Sequence, residues 1–447
     1  MYIPSAVEPL LLQFSFAFSE PTFQRFTDLM LSAILTTGRR TVSNLLRTAP
    51  ALLHGHASSY HRVFSQRRWS PWKLGYLLAY SILYYLVPEG QVYLVVDDTV
   101  DEHRGKQVYG KACHRDAVRS THSYITFRWG HKWVVLAMLV QFPFTSRQWA
   151  LPVLVALYHS KEWNKKHGRR HKTPPELARQ LLAVLLHWFP EREFILAVDG
   201  GFSTHGLAAF AQQKPRRAVL VGRFYPKANL YAPPPKVKGK EGRPRKKGRK
   251  LAAPQAVVAR TKKRKRLTVR WYGGQTRHVE IVTGTGHWYK GGQGLVEVRW
   301  VFVHDLTGTH RDEYFFSTAV TMTPKEIIEI FTGRWAIEVT FAEMRAYLGL
   351  ETTRGRKRET VLRMVPCLFG LYSVVALLYA WLPEKAKQAR GVQWVGKNTV
   401  TFSDALTSVR RWLWREWIFE TCGHKAAFSK LPARFQDLLC YTLAPAA

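Results

Sequence analysis

The sequence predicts a mixed α/β protein with an inserted antiparallel β region and helical regions at both ends. Between 92 and 224, short apolar runs rich in β-branched residues alternate with segments of helical periodicity. From 267 to 320, apolar and polar residues alternate between glycine-containing turns, as antiparallel strands require. Residues 1–90 and 351–447 instead space their apolar residues as helices do.

The N-terminal region, 1–90, is predicted to contain helices at 23–35, 42–53 and 72–86. Arginines lie in and between these segments, and this positive charge predicts that the region binds DNA. Packing against the rest of the chain, with no DNA contact, is the alternative.

Residues 91–224 and 311–350 are predicted to form the central α/β domain. The expected order is strand, strand, strand, helix, strand, helix, strand. The strands are predicted at 92–100, 130–142, 149–158, 193–203 and 216–224, and the helices at 176–189 and 204–213. A polar loop is expected between the first two strands, and the region 351–447 is expected to be helical.

The β region predicted as an insertion, 225–310, begins with a strongly basic segment. Of the residues from 236 to 266, 15 are basic and one is acidic. Such a segment cannot bury a core, so we expect it to be mobile without a partner. Contact with phosphates is the preferred function, and a solvated loop is the alternative. The predicted DNA contacts are Lys246, Lys247, Arg249, Lys262, Lys263, Arg264, Lys265 and Arg266.

The charge of the whole chain indicates a polyanionic partner. The 447 residues include 67 Lys and Arg against 31 Asp and Glu, a net charge of +36. Nucleic acid is favoured over a membrane surface, because the basic residues are spread along the chain. The apolar run 366–382 is predicted to be a buried core helix. Four separated cysteines support neither a zinc site nor a disulfide framework, as expected in a reducing cytosol.

The stretch 331–348, FTGRWAIEVTFAEMRAYL, is predicted to be one helix. At 100° per residue, Arg334, Glu338, Phe341 and Arg345 share one narrow stripe. A carboxylate between two guanidinium groups is either a solvated ion pair or part of a functional site.

Two further acidic positions make the functional interpretation stronger. Asp97 and Asp98 follow a buried apolar strand, and Asp199 follows another. Three carboxylates without histidine or cysteine partners form a hard-oxygen site, which favours two Mg²⁺ or Mn²⁺ ions. Such ions support phosphodiester chemistry. Charge and carboxylates therefore point independently to a metal-dependent DNA-processing enzyme.

These residues resemble the DDE transposases of bacterial insertion sequences that share a Y-x2-R-x3-E-x6-K motif. The chain has Phe331-x2-Arg334-x3-Glu338-x6-Arg345, with the same spacing, Phe in place of Tyr and Arg in place of Lys. Asp97-Asp98-Thr99 matches the family's first D-x-[S/T] motif, and Asp199-Gly-Gly-Phe matches its second. The resemblance covers about residues 90–350.

The resemblance implies a ribonuclease H-like sheet with Asp97, Asp199 and Glu338 as catalytic metal ligands. Asp98 is the alternative first acid, although neighbours on a strand face opposite sides and the motif favours Asp97. Arg334 and Arg345 would position phosphates. Related transposases hold a flipped base on an aromatic ring, for which Trp271, Trp288 and Trp300 are candidates; sheet packing is their alternative role.

The resemblance also implies double-stranded DNA partners, namely terminal inverted repeats and target DNA, and a homodimer on DNA. We expect a cytoplasmic, nucleoid-associated bacterial protein that does not enter the membrane. The alternative from another class is a non-catalytic DNA-binding protein derived from a transposase. An RNA-directed nuclease of the same fold is a weaker third possibility.

Overall fold

The structure is a computed structural model, and it describes residues 3–116, 120–121, 123–213, 218–235, 245–387, 397 and 399–445. The described residues form one mixed sheet of 11 strands flanked by helices. The strands are β1 Val92–Glu102, β2 Ala112–Arg115, β3 Phe127–Val140, β4 Trp149–Tyr158, β5 Phe194–Val198, β6 Ala218–Arg223, β7 Leu230–Tyr231, β8 Lys265–Arg270, β9 Thr276–Lys290, β10 Gly294–Asp305 and β11 Glu313–Ser317.

Helices make up most of the two ends of the chain and cover the sheet between them. They are α1 Glu8–Leu12, α2 Glu20–Leu35, α3 Val42–Thr48, α4 Ala57–Ser65, α5 Pro71–Leu86, α6 Lys161–Lys166, α7 Pro174–Trp188, α8 His205–Gln212, α9 Pro254–Arg260, α10 Pro324–Gly333, α11 Ala336–Tyr347, α12 Arg358–Trp381, α13 Glu384–Lys387, α14 Phe402–Leu413, α15 Phe419–Thr421, α16 Lys425–Ser429 and α17 Ala433–Leu443. The predicted helical ends and the mixed α/β class agree with this architecture.

The centre of the sheet has the strand order β4-β3-β1-β5-β6. Strands β1, β5 and β6 are parallel, whereas β3 runs antiparallel to β1 and β4 runs antiparallel to β3. Their apolar residues face both sides of the sheet, because Ile195 packs with α10 while Leu196 lies in the larger core. This burial on both faces explains the nearly continuous apolar runs in the sequence.

The inserted β region continues the central sheet. Strand β11 pairs with β6, and β10, β9 and β8 follow in antiparallel order. The sequence predicted the antiparallel pairing but not this continuity. The described part of 236–266 includes α9, whose Val258 is buried in the core, and the start of β8. The expectation that this segment buries no core is therefore wrong there, and its mobility stays a prediction. Residues 236–244 lie outside the described residues.

Two local predictions need correction. The loop expected between the first two strands contains β2, which pairs with the start of β3. The stretch 331–348 is not one helix, because α10 ends at Gly333 and α11 begins at Ala336. A Cβ atom at Gly333 would lie 2.9 Å from Oε1 of Gln148, so glycine permits a close approach where the two helices meet.

The apolar helix predicted at 366–382 is the second half of α12. Among the described residues, α12 is the one helix long and apolar enough to cross a membrane, but most of its apolar stretch is buried within the protein. It packs against β4, α14 and α5. A helix that is buried on all sides is apolar all round, so the position of α12 in the core explains its apolar sequence.

Candidate active site

Asp97 and Asp199 lie side by side where two parallel strands separate. Val96 of β1 pairs with Val198 of β5, and the aspartates are the next residue on each chain. Neighbouring strands are about 4.8 Å apart, and the matched register places both side chains on the same face. Strand β5 ends here, whereas β1 continues to Glu102 along β3, beyond the strand end predicted from the sequence.

Arg334 joins Asp97 to Glu338. One terminal nitrogen of its guanidinium lies 3.2 Å from Oδ2 of Asp97, and the other lies 3.0 Å from Oε1 of Glu338. Arg334 is buried, but the side chain of Glu338 is about half exposed at 45%. The guanidinium therefore lies on the buried side of the cluster, and Glu338 lies on its solvent-exposed side.

The protonation of the cluster reflects this crowding. Burial raises the pKa of Asp97 to about 7, Arg334 opposes the rise, and Asp199 adds to it. Burial lowers the pKa of Arg334, but Asp97, Glu338 and Asp199 together raise it above its usual value. Asp97 and Asp199 are thus close enough to repel each other, and Arg334 is the cation that compensates them.

Asp98 is directed away from this cluster, as alternation along a strand requires. Its Oδ1 lies 3.1 Å from the ammonium of Lys132 on β3. Burial raises the pKa of Asp98, and Lys132 lowers it. The ion pair with Lys132 gives Asp98 a structural role, and the geometry favours Asp97 as the first acid.

Arg345 is held by protein groups near the same strand. It donates to Thr99 Oγ1 and, at 3.3 Å, to the Val100 carbonyl, and its Nε lies 3.0 Å from Oε1 of Glu351. Phe331, at the position where the resembled motif has tyrosine, is buried and stacks on Phe315 at 4.2 Å. Arg345 thus braces α11 against β1 in this structure, and its expected phosphate contact stays a prediction.

The sequence did not point to Tyr272, which the insertion brings to this cluster. Burial and the neighbouring Glu313 raise the pKa of Tyr272 to about 12, and Arg334 and Glu338 also influence it. The residue lies in the turn between β8 and β9, where Gly274 has a φ of +87° and a Cβ would lie 2.6 Å from the Ser146 carbonyl oxygen. The one available signal was the Tyr-Gly-Gly turn itself.

Arg223 and Glu313 form a second ion pair beside the cluster. A Cβ atom on Gly200, next to Asp199, would lie 3.5 Å from Cδ of Arg223. The pair joins β6 to β11, so the insertion is connected to the catalytic strands through charged groups as well as through the sheet. No sequence pattern near Glu313 predicted this ion pair.

The predicted DNA contacts of the basic segment lie mostly on the surface. Lys247 is half-buried, with its ammonium 4.5 Å from the ring centre of Tyr231 and 4.4 Å from that of Tyr289. Arg264 lies over Phe302, and Arg266 pairs with Glu280 at 3.2 Å. Within the part of the chain that the structure describes, exposed side chains without such a contact belong to Lys246, Arg249, Lys262, Lys263 and Lys265.

The three tryptophans that were candidates for base stacking are all buried. Trp271, Trp288 and Trp300 are 5%, 7% and 2% exposed. Trp288 packs edge-on against Phe224 and Phe316, and Trp300 covers Gly284. Their contacts are those of sheet packing, so we do not propose a base-stacking role for them.

Comparison with known proteins provides the family. A model described as DDE superfamily endonuclease matches residues 13–278, and one described as Archaeal putative transposase ISC1217 matches residues 257–371. The comparison with curated proteins gives no match. A solved piggyBac transposase synaptic complex with hairpin DNA is similar over 98% of this chain and 82% of that chain. The sequence identity is 11% and the TM-score is 0.39.

The first family model spans more than half of the 447 residues. It includes the strands that hold Asp97 and Asp199, and the second model includes Glu338. The protein belongs to the DDE superfamily of endonucleases.

Proposed function

We propose that this protein is a DNA transposase of an insertion sequence, with a ribonuclease H-like catalytic domain. It cleaves phosphodiester bonds at the terminal inverted repeats and joins the freed 3′-hydroxyl group to target DNA. The observation that carries the proposal is the bridge by which Arg334 binds Asp97 and Glu338 next to Asp199.

The side chains of this cluster fit a pair of Mg²⁺ or Mn²⁺ ions. Asp97, Asp199 and Glu338 offer only carboxylate oxygens, the ligands that these hard cations prefer. Arg334 balances one of their three charges, and the nearby Arg223 is already paired with Glu313. Two bound ions would activate the attacking oxygen and stabilise the leaving oxygen.

The protein's own groups supply position and orientation. Arg334 binds both Asp97 and Glu338, and its charge would help to position a phosphate beside the metal ions. Arg345 fixes α11 to β1 through Thr99 and Val100, two and three residues beyond Asp97. The exposed lysines of the basic segment would hold the DNA backbone independently of its sequence. We also propose a homodimer on DNA, since two ends must be joined.

The proposal is tested with DNA duplexes made from the sequences that flank the gene. The wild-type protein with Mg²⁺ should nick the duplex at the repeat end, and Asp199→Ala should abolish nicking while DNA binding is kept. Asp98→Asn is the matched control, because that carboxylate faces Lys132, and it should retain cleavage.

Other outcomes of this experiment contradict the proposal in distinct ways. Cleavage by Asp199→Ala removes Asp199 from the mechanism. A wild-type protein that binds the repeat but never cuts it is the non-catalytic DNA-binding protein. Cleavage of RNA without regard to repeat ends identifies the RNA-directed nuclease.

A further inference from the structure

A second group of potential metal ligands lies farther along β1. Asp101, in β1, and His103, just beyond it, are joined there by His131 of β3. Each offers a ligand atom, and the three atoms lie within 4.8 Å of one another. Asp101 and His131 are fully buried, and His103 is 5% exposed. Buried carboxylates and imidazoles need compensation for the water they lose.

The hydrogen bonds of His131 leave one ring nitrogen free for a cation. Nε2 of His131 lies 2.8 Å from the carbonyl oxygen of Tyr109. A carbonyl only accepts, so Nε2 carries the hydrogen and Nδ1 presents a lone pair. Among the described residues, none forms a hydrogen bond with Nδ1 of His131 or with Oδ1 of Asp101. Metal-binding histidines commonly donate their other N–H to a carbonyl in this way.

The distance between His103 and Asp101 fits either a hydrogen bond or two ligands of one metal ion. Nε2 of His103 lies 3.2 Å from Oδ2 of Asp101. Two ligands of a tetrahedral zinc ion, each at about 2.0–2.1 Å, are about 3.3 Å apart. A metal ion would therefore replace the proton of this hydrogen bond with little movement of either side chain. The same ion would also be bound by the lone pair on Nδ1 of His131.

We propose that Asp101, His103 and His131 bind a divalent transition-metal ion, with Zn²⁺ the ion that the ligands suit best. Two imidazoles and one carboxylate are a softer donor set than the three carboxylates around Asp97, which suit magnesium. Asp101 is four residues beyond Asp97, or about 13 Å along an extended strand. The two sites are therefore separate.

The position of the site indicates a structural role. The ion would join β1 to β3 and, through the Tyr109 carbonyl, fix the loop between β1 and β2. The backbone N–H of Tyr109 donates to the carbonyl of Arg356, which lies between α11 and α12. The bound ion would thus hold the strand of Asp97 and the segment after the helix of Glu338 in one unit. This inference does not depend on the proposed function.

Metal analysis of the full-length protein tests the proposal. Protein stripped with a chelator, loaded with Zn²⁺ and freed of excess ion by gel filtration should retain about one equivalent. His103→Ala and His131→Ala should lose it. His114→Ala is the matched control, because His114 is also a buried histidine but lies outside the cluster. The Asp199→Asn/Glu338→Gln double variant should keep its zinc, which separates this site from the catalytic one.

Cobalt provides a readout that does not depend on folded variants. Co²⁺ added to the stripped wild-type protein should give the intense visible absorption of a four- or five-coordinate ion, and Zn²⁺ should abolish it. No retained zinc, the weak spectrum of octahedral cobalt, or equal zinc in wild type and His131→Ala would each overturn the proposal. Loss of the zinc in the double variant would overturn it as well, because the ion would then belong to the carboxylates.

Discussion

The guanidinium of Arg334 lies 3.2 Å from the carboxylate of Asp97, although 237 residues separate them in the sequence. The same guanidinium binds Glu338, and Asp199 is adjacent to Asp97 on the neighbouring strand. Arg334 thus connects Glu338, on α11, to Asp97, on β1.

Arg334→Gln should destabilise the metal-free protein because Asp97 would lose its cationic partner. We expect a loss of about 1–3 kcal/mol in the free energy of unfolding at pH 8. In the background of Asp97→Asn the loss should be smaller, since one of the carboxylates that Arg334 compensates is then neutral. A double-mutant cycle by urea unfolding with EDTA measures the difference. Equal losses in both backgrounds would contradict a direct coupling of the two residues.

The buried Asp28 should make stability depend on pH. Its Oδ2 accepts a hydrogen bond from Tyr60 at 3.0 Å, and burial raises its pKa to about 6. The folded state therefore holds this proton more tightly than the unfolded state. Stability should be highest below pH 4 for this group and fall as the pH rises to about 6. Asp28→Asn should gain about 1–3 kcal/mol over wild type at pH 7 and little at pH 4.

Unfolding curves at pH 4 and pH 7 check the effect of Asp28. A gap between wild type and Asp28→Asn that is equal at both values would show that titration is not its cause.

The ring of Tyr272 should matter more than its hydroxyl group. The ring lies nearly parallel to that of His310, at 5.8 Å, and it packs against the apolar core that includes α10, the helix just before Arg334. Tyr272→Ala should slow single-turnover DNA cleavage about tenfold or more, because small displacements of catalytic groups are costly. Tyr272→Phe should stay within about threefold of wild type. If both variants are equally slow, the hydroxyl and not the packing is what cleavage needs.

The exposed lysines between α9 and β9 should control DNA affinity without affecting sequence preference. Replacing Lys262, Lys263 and Lys265 with Gln should weaken binding to all duplexes alike. If each contacts one phosphate, the slope of log K against log salt should fall by about 2–3. Fluorescence anisotropy at several salt concentrations measures both quantities. The control replaces the exposed Lys385, Lys430 and Arg434, and an equal change there would show only a general charge effect.

The strands that hold the aspartates could be predicted because their burial within the sheet leaves a clear pattern in the local sequence. Buried parallel strands require continuous apolar runs, so VYLVVDDTV and EFILAVD were visible as strands. Strand alternation predicted that only one of Asp97 and Asp98 faces the site, and the D-x-T motif of the resembled family favoured Asp97. The structure places Asp97 beside Arg334 and Asp98 beside Lys132.

The features missed by sequence reasoning depend on distant contacts. The break between α10 and α11 occurs where Gly333 approaches Gln148, and no proline marks it. Tyr272 reaches the cluster only because β11 attaches the insertion to β6. The two histidines of the proposed zinc site lie just after β1 and within β3, and their spacing of 28 residues matches no local metal motif.

Anomalous diffraction from crystals of the protein bound to a DNA end and Mn²⁺ would locate the catalytic metal ions. We predict two peaks about 4 Å apart, within about 2.5 Å of oxygens from Asp97, Asp199 and Glu338. A complex that cleaves DNA in the crystal but shows no manganese at these three carboxylates would show that they are not the catalytic metal ligands.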